Sequence, residues 1–201
     1  MRNCYFINRW IIIHFQAQGK PMKNYYDEKQ YIEKVDKKGK HLGFIEKWEA
    51  HKKGVLHRGF GVILVYKNYY LLQHRRHPAF DAVLDLSSAS HQLQKRGDFE
   101  NLNEAVINSL KREWNIKEED LRGEIKNLGY VYYKSRDPKS IYTEHEYCDI
   151  LIVEINKFPK PNLDFAYGYS LATKEELYNK KSRIFENLSP WGKKMIEKKL
   201  L

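Results

Sequence analysis

Glu144-His145-Glu146-Tyr147-Cys148-Asp149-Ile150-Leu151-Ile152-Val153-Glu154-Ile155 alternates polar and apolar residues at its start and turns apolar at its centre. That pattern predicts a long strand, half-buried where it begins and covered on both faces further on. In a strand, Glu144 and Glu146 point to one face and His145 to the other. Two carboxylates on one buried face are costly unless a cation neutralises them. The deciding stretch therefore predicts a sheet and a candidate site together.

Phe60 to Tyr66 (FGVILVY) is a second apolar, β-rich run, expected as a buried strand. Lys67-Asn68 is a two-residue turn, and Tyr69 to Arg75 returns as the partner strand until His77-Pro78 breaks it. Tyr31 to Val35 and His41 to Ile45 flank a Gly-containing turn and read as a hairpin, followed by a short helical stretch from Glu46 to His51. Val83 to Ala89, Leu128 to Lys134 and Phe165 to Leu171 are expected as further strands. Asn101 to Asn115 is the clearest helix: Leu102, Ala105, Val106 and Leu110 recur at helical spacing, and Asn101 or Asn103 can cap its start. Thr173 to Glu176 is a capping box opening another helix, and Pro190 sits in the first turn of a last one running to the end. The sum is a single α+β domain, with a mixed sheet, one central helix and C-terminal helices.

The chain has 201 residues, 42% apolar and 31% charged, which suits one folded domain and excludes disorder. No apolar run approaches the ~20 residues that span a bilayer, so no membrane partner is expected. Two cysteines, Cys4 and Cys148, make no disulfide scaffold and point to a reducing, cytoplasmic setting. The formal net charge of +10 comes from lysines scattered along the chain rather than a basic stripe. A small anionic partner is therefore expected in preference to nucleic acid. Residues 1–21 are expected to be an upstream extension ahead of Met22, with an added N-terminal strand as the alternative; the domain proper is 22–201. Nothing in the sequence sets an oligomeric state.

His51, His57 and His91 precede the Glu144/Glu146 pair in the chain. Three imidazoles and two carboxylates would make a cage for a divalent ion with one position open to water or substrate. Taken singly, a histidine here, His51 above all, reads as a solvated or hydrogen-bonded side chain, and the carboxylate pair is more often a charged strand face.

The order of these features resembles the Nudix superfamily and, within it, the type 1 isopentenyl-diphosphate isomerases. The resemblance runs from about Tyr31 to the C-terminus. It rests on Ile45 to His51, Leu56 to Phe60, Leu71 to Arg76, Ser87 to His91, Glu144 to Cys148 and Ser189-Pro190-Trp191. It implies a Nudix fold, a mixed sheet sandwiched between helices with a C-terminal helical extension, and an enzyme of isoprenoid biosynthesis. His51, His57, His91, Glu144 and Glu146 match the ligands of the family's catalytic metal, here Mn2+, Zn2+ or Mg2+. Glu146 also matches a proton-transfer residue and Tyr133 the tyrosine beside it. Trp191 matches the indole whose face stabilises a carbocation. Glu113, on a Nudix helix from Glu104 to Ile116, matches a residue holding the Mg2+ that bridges the substrate diphosphate, and Lys47 and Arg76 match basic residues that contact that diphosphate.

Two departures stand out. The family's catalytic cysteine is replaced by Ala89, and an arginine expected on the Nudix helix by Ser109. Three activities stay open: an isomerase acting through Glu146 and Tyr133, a hydrolase cleaving a diphosphate-linked substrate, and a non-catalytic diphosphate-binding protein. Against the hydrolase stand Asn108, Ser109 and Arg112, where the hydrolase helix carries arginine and glutamates.

Overall fold

The computed structural model describes residues 25–95 and 97–201. The expected N-terminal extension and Cys4 lie outside these residues. Strands β1 (Tyr31–Val35) and β2 (His41–Glu46) form the expected antiparallel hairpin, followed by helix α1 (Lys47–Lys53). The Glu46 carboxylate caps α1 by accepting from the backbone N–H groups of Trp48 and Glu49, and Gly54 ends it in the left-handed region at φ +61°.

Strand β3 (His57–Tyr66) turns at Lys67-Asn68 into β4 (Tyr69–Arg75). The expected single strand at Val83 to Ala89 is two short ones, β5 (Leu84–Asp85) against β4 and β6 (Ser88–Ser90) against β3. The chain here passes from one partner strand to another, so one straight strand cannot serve both. A small hairpin, β7 (Gln94–Lys95) and β8 (Asp98–Phe99), precedes helix α2 (Leu102–Trp114). Strands β9 (Leu121–Arg136) and β10 (Thr143–Ile155) pair antiparallel, and β11 (Ala166–Ala172) pairs with β4. Helices α3 (Lys174–Tyr178), α4 (Arg183–Asn187) and α5 (Pro190–Glu197) complete the chain. Strand β9 starts well before the expected Leu128, and α4 was not anticipated.

The sheet is mixed because β3 and β10 run parallel, with Glu146 beside His57 and Cys148 beside Gly59. Alternate residues of β3 feed two cores. Phe60, Val62 and Leu64 pack with Val106, Leu110 and Trp114 of α2. Ile63 lies in the other core, with Ile150, Trp191, Met195 and Ile196. The sheet is thus covered by α2 on one face and by the C-terminal helices on the other, the expected α+β sandwich. No helix among the described residues is long and apolar enough to cross a membrane.

Candidate metal centre and anion pocket

The parallel register of β3 and β10 places His57 against Glu146, and the antiparallel register of β9 and β10 places Tyr133 on its other side. His51 reaches the same point from α1 and His91 from the residue after β6. One ligand atom from each of His51, His57, His91 and Glu146 lies within 4.8 Å of the others, and all four residues are buried. Glu144 joins them: its Oε2 is 3.2 Å from His51 Nε2 and 4.0 Å from His57 Nε2. The five residues expected to form a cage are brought together.

The imidazoles are held for one task. Nδ1 of His51 lies 2.6 Å from the Lys47 carbonyl, and Nδ1 of His57 lies 2.8 Å from the Val55 carbonyl. A carbonyl accepts only, so each Nδ1 carries the proton and a neutral ring presents Nε2 as a lone pair. Both Nε2 atoms and Oε2 of Glu144 are buried without a hydrogen-bond partner. Lone pairs converging in a dry site require positive charge. The electrostatics agree. Burial alone would raise Glu146, yet the adjacent His57 and His91 imidazoles hold its carboxyl well below the usual range. Burial likewise opposes charge on His57, but Glu146 and Glu144 outweigh it and raise its pKa. His91 is pushed down to about 4, chiefly by burial, against the pull of Glu146. A donor set of imidazole nitrogens and carboxylate oxygens of this kind fits a divalent ion.

Gly59 makes room for the cage. A Cβ there would lie 2.5 Å from Glu146 Oε1, 2.7 Å from its Cδ and 2.9 Å from Oε2, so any side chain would expel the carboxylate. Glu146 Oε2 also accepts a hydrogen bond from the Tyr133 hydroxyl at 2.5 Å. Burial first, and Glu146 next, push the Tyr133 phenol well above its ordinary pKa, which keeps it a donor.

A cavity adjoins the cage, lined by Ala89, Glu113, Tyr133, Glu146 and Trp191 and by Lys47, Arg75, Arg76 and Arg112. Trp191 is buried: its indole N–H donates to Asp85 Oδ1 at 2.5 Å and its ring lies 5.8 Å from that of Tyr133. Glu113 accepts from Ser88 Oγ at 3.0 Å and Gln73 Nε2 at 3.2 Å. Lys47 is buried, with its ammonium donating to Gln30 Oε1 at 3.2 Å. Arg76 is exposed and donates to the Leu163 carbonyl at 2.9 Å.

Sequence reasoning missed Arg75, Asp85 and Arg112. Arg75 is buried, donates to Asp85 Oδ2 at 2.8 Å and sits 5.3 Å from the Trp191 ring centre. Asp85 therefore ties Arg75 to Trp191. Strand parity was the available signal for Arg75, which shares a face with Leu71 and Gln73. Asp85 gave no signal, because its partners are distant in sequence. Cys148 is buried and its thiol is pushed well above the ordinary range, first by burial and then by Glu146.

No family model matches the chain. It is 30% identical over 180 residues to isopentenyl-diphosphate delta-isomerase 1 of Mesocricetus auratus, covering 81% of this chain and 79% of that protein. It is 31% identical over 176 residues to the Mus musculus protein of the same name, covering 79% and 77%. Isopentenyl-diphosphate delta-isomerase 2 of Homo sapiens is 27% identical over 180 residues. Among solved structures, the Deinococcus radiodurans protein DR0079 superposes with a TM-score of 0.58 at 14% identity, over 84% of this chain and 97% of its own. A MutT protein of Methanosarcina mazei Go1 gives 0.53 at 15% identity, over 71% and 91%. At such low identity these two structures speak to the fold alone.

Proposed function

This chain belongs to the isopentenyl-diphosphate delta-isomerase family, within the Nudix superfamily, and on that premise we propose that it moves the double bond of isopentenyl diphosphate to give the dimethylallyl isomer. The observation that carries the reading is the placement of Glu146. Its carboxylate faces the histidine cage, accepts from Tyr133 and lines a cavity shared with Trp191.

The reaction adds a proton at one carbon, removes one from another, and passes through a cation. Glu146 is the group positioned to exchange that proton, and Tyr133 holds it through Oε2. The Trp191 ring offers an aromatic face to the cationic carbon, and the surrounding burial keeps out water that would trap it. His51, His57, His91, Glu144 and Glu146 would hold a divalent ion, which supplies the positive charge that keeps the two carboxylates together and tunes their proton affinity. Glu113 would hold the magnesium of a diphosphate, with Lys47 and Arg76 contacting its oxygens.

Ala89 favours a second reading. It lines the cavity where a proton-transfer thiol is expected, and a methyl group transfers no proton. Hydrolysis of a diphosphate-linked substrate needs no such group.

One NMR experiment separates the readings. Metal-loaded protein, magnesium and isopentenyl diphosphate in heavy water are followed by proton and phosphorus spectra. Isomer, or deuterium in recovered substrate, is the expected result. Released phosphate without isomer would replace this reading with hydrolysis, and a silent tube would move it to a hydrolase of another diphosphate.

A further inference from the structure

Helix α2 has Ser109 where an arginine is expected, and the structure removes that position from the pocket altogether. Ser109 is buried, its hydroxyl donates to the Val106 carbonyl at 2.8 Å, and it does not line the cavity. One turn later, on the same helix face, Arg112 does line it. The Arg112 guanidinium stacks 4.3 Å from the Tyr25 ring centre and 5.7 Å from that of Phe165. Its Nη2 donates to Glu113 Oε1 at 2.7 Å and to Ser90 Oγ at 3.3 Å. Its Nε is buried with no acceptor.

A guanidinium keeps its charge even when buried, and each of its N–H groups needs an acceptor. The orphaned Nε marks a missing one. Lys47, Arg75 and Arg76 line the same cavity, so with Arg112 four basic side chains meet there. Of the carboxylates there, Glu144 and Glu146 face the histidines, and Glu113 is shared among Arg112, Gln73 and Ser88. The four basic groups outnumber the one carboxylate that faces them, so the deficit is one of negative charge.

We propose that Arg112 is this chain's diphosphate-gripping arginine, donating through Nε to a phosphate oxygen and so taking over the part that Ser109 cannot play. The inference rests on the diphosphate reading of the pocket. Its pairing with Glu113 aims the fork: the side chain that touches the proposed magnesium ligand would also hold the diphosphate.

The probe is inorganic diphosphate with magnesium, titrated calorimetrically into wild type, Arg112→Gln and Arg112→Lys. A charge-assisted hydrogen bond of ordinary strength corresponds to about 10–100-fold in affinity. Arg112→Gln should weaken diphosphate by that factor. Arg112→Lys should recover part of it, since it restores charge but not the fork. Manganese affinity of the cage, titrated without diphosphate, should be unchanged in both. With substrate, KM should rise more than kcat falls. Wild-type diphosphate affinity in Arg112→Gln would overturn the assignment and leave the diphosphate pocket standing. Loss of manganese affinity in both variants would make Arg112 structural and overturn it as well. A wild-type protein that does not bind diphosphate would overturn the pocket reading itself.

Discussion

Tyr133 and Glu146 face each other across the antiparallel β9–β10 pair, and the phenol donates to the carboxylate at 2.5 Å. The same carboxylate has His57 as its neighbour across the parallel β3–β10 pair. Glu146 is thus held from both flanking strands. If it carries the proton, removing the phenol should act on rate rather than binding. Tyr133→Phe is expected to lower kcat by about 10²–10⁴-fold, the usual worth of a group assisting proton transfer, with KM little changed. Steady-state kinetics check it, and a KM change of similar size would place Tyr133 in substrate binding instead.

Ala89 lines the cavity two residues before His91. Ala89→Cys is expected to raise isomerase activity by about 10²-fold or more, because it returns a second proton-transfer group. The assay is the formation of dimethylallyl diphosphate by folded, metal-loaded protein. An unchanged rate would mean that the five-carbon substrate does not seat against this strand.

His91 contributes one of four clustered ligand atoms. Its loss should weaken divalent-ion binding by more than the ~10–100-fold typical of losing an outer partner of a ligand, and His91→Ala in a manganese titration tests this. The pH dependence has a definite sign. His57 is raised, so protons compete with the ion increasingly as pH falls through its range. Binding should release protons there, and affinity should drop on acidification.

Burial first, then Arg112 and Arg75, lower the Lys47 ammonium to about 7. A bound diphosphate would favour its charged form. Diphosphate binding above pH 7 should therefore take up a proton, and affinity should fall as pH rises through that value. Titration in two buffers of different ionisation enthalpy counts the proton. Lys47→Arg, charged throughout, should lose the dependence.

Gly59→Ala should cost about 1–3 kcal/mol, the usual penalty for overpacking, since its Cβ would meet Glu146 at 2.5 Å. Denaturant unfolding measures the loss. A neutral result would mean that Glu146 can swing aside without harm.

Local signals carried much of this fold. Asn101 caps α2 through Asn103 and Glu104, Asn115 closes it at φ +54°, and Thr173 with Glu176 forms the expected capping box. The Lys67-Asn68 turn and the long apolar β10 were equally readable, because each needs only its own residues. The first half of β9 was not: it is mostly exposed and polar, and its register with β10 slips past Leu128 beside Gly129 at φ +118°. Such a strand owes its existence to its partner. The five cage residues were legible through resemblance, and their meeting depended on the β3–β10 register, which no local pattern dictates. Arg112 was read only as a departure from the hydrolase helix. Its orphaned Nε and its ring contacts with Tyr25 and Phe165 are products of tertiary packing.

The register of β3 against β10 also bears on how the chain reaches its native state. His57 and Glu146 are 89 residues apart (146 minus 57), and parallel pairing cannot be made by a simple hairpin. The entropy of closing that span must be met before the pair repays it, so this contact belongs late in folding. A divalent ion that bridged the two strands would bind only after that closure. It would then stabilise the native state by mass action, and by holding a long-range pair formed late it would slow unfolding more than it would hasten folding. The cage would act as a latch on the finished chain.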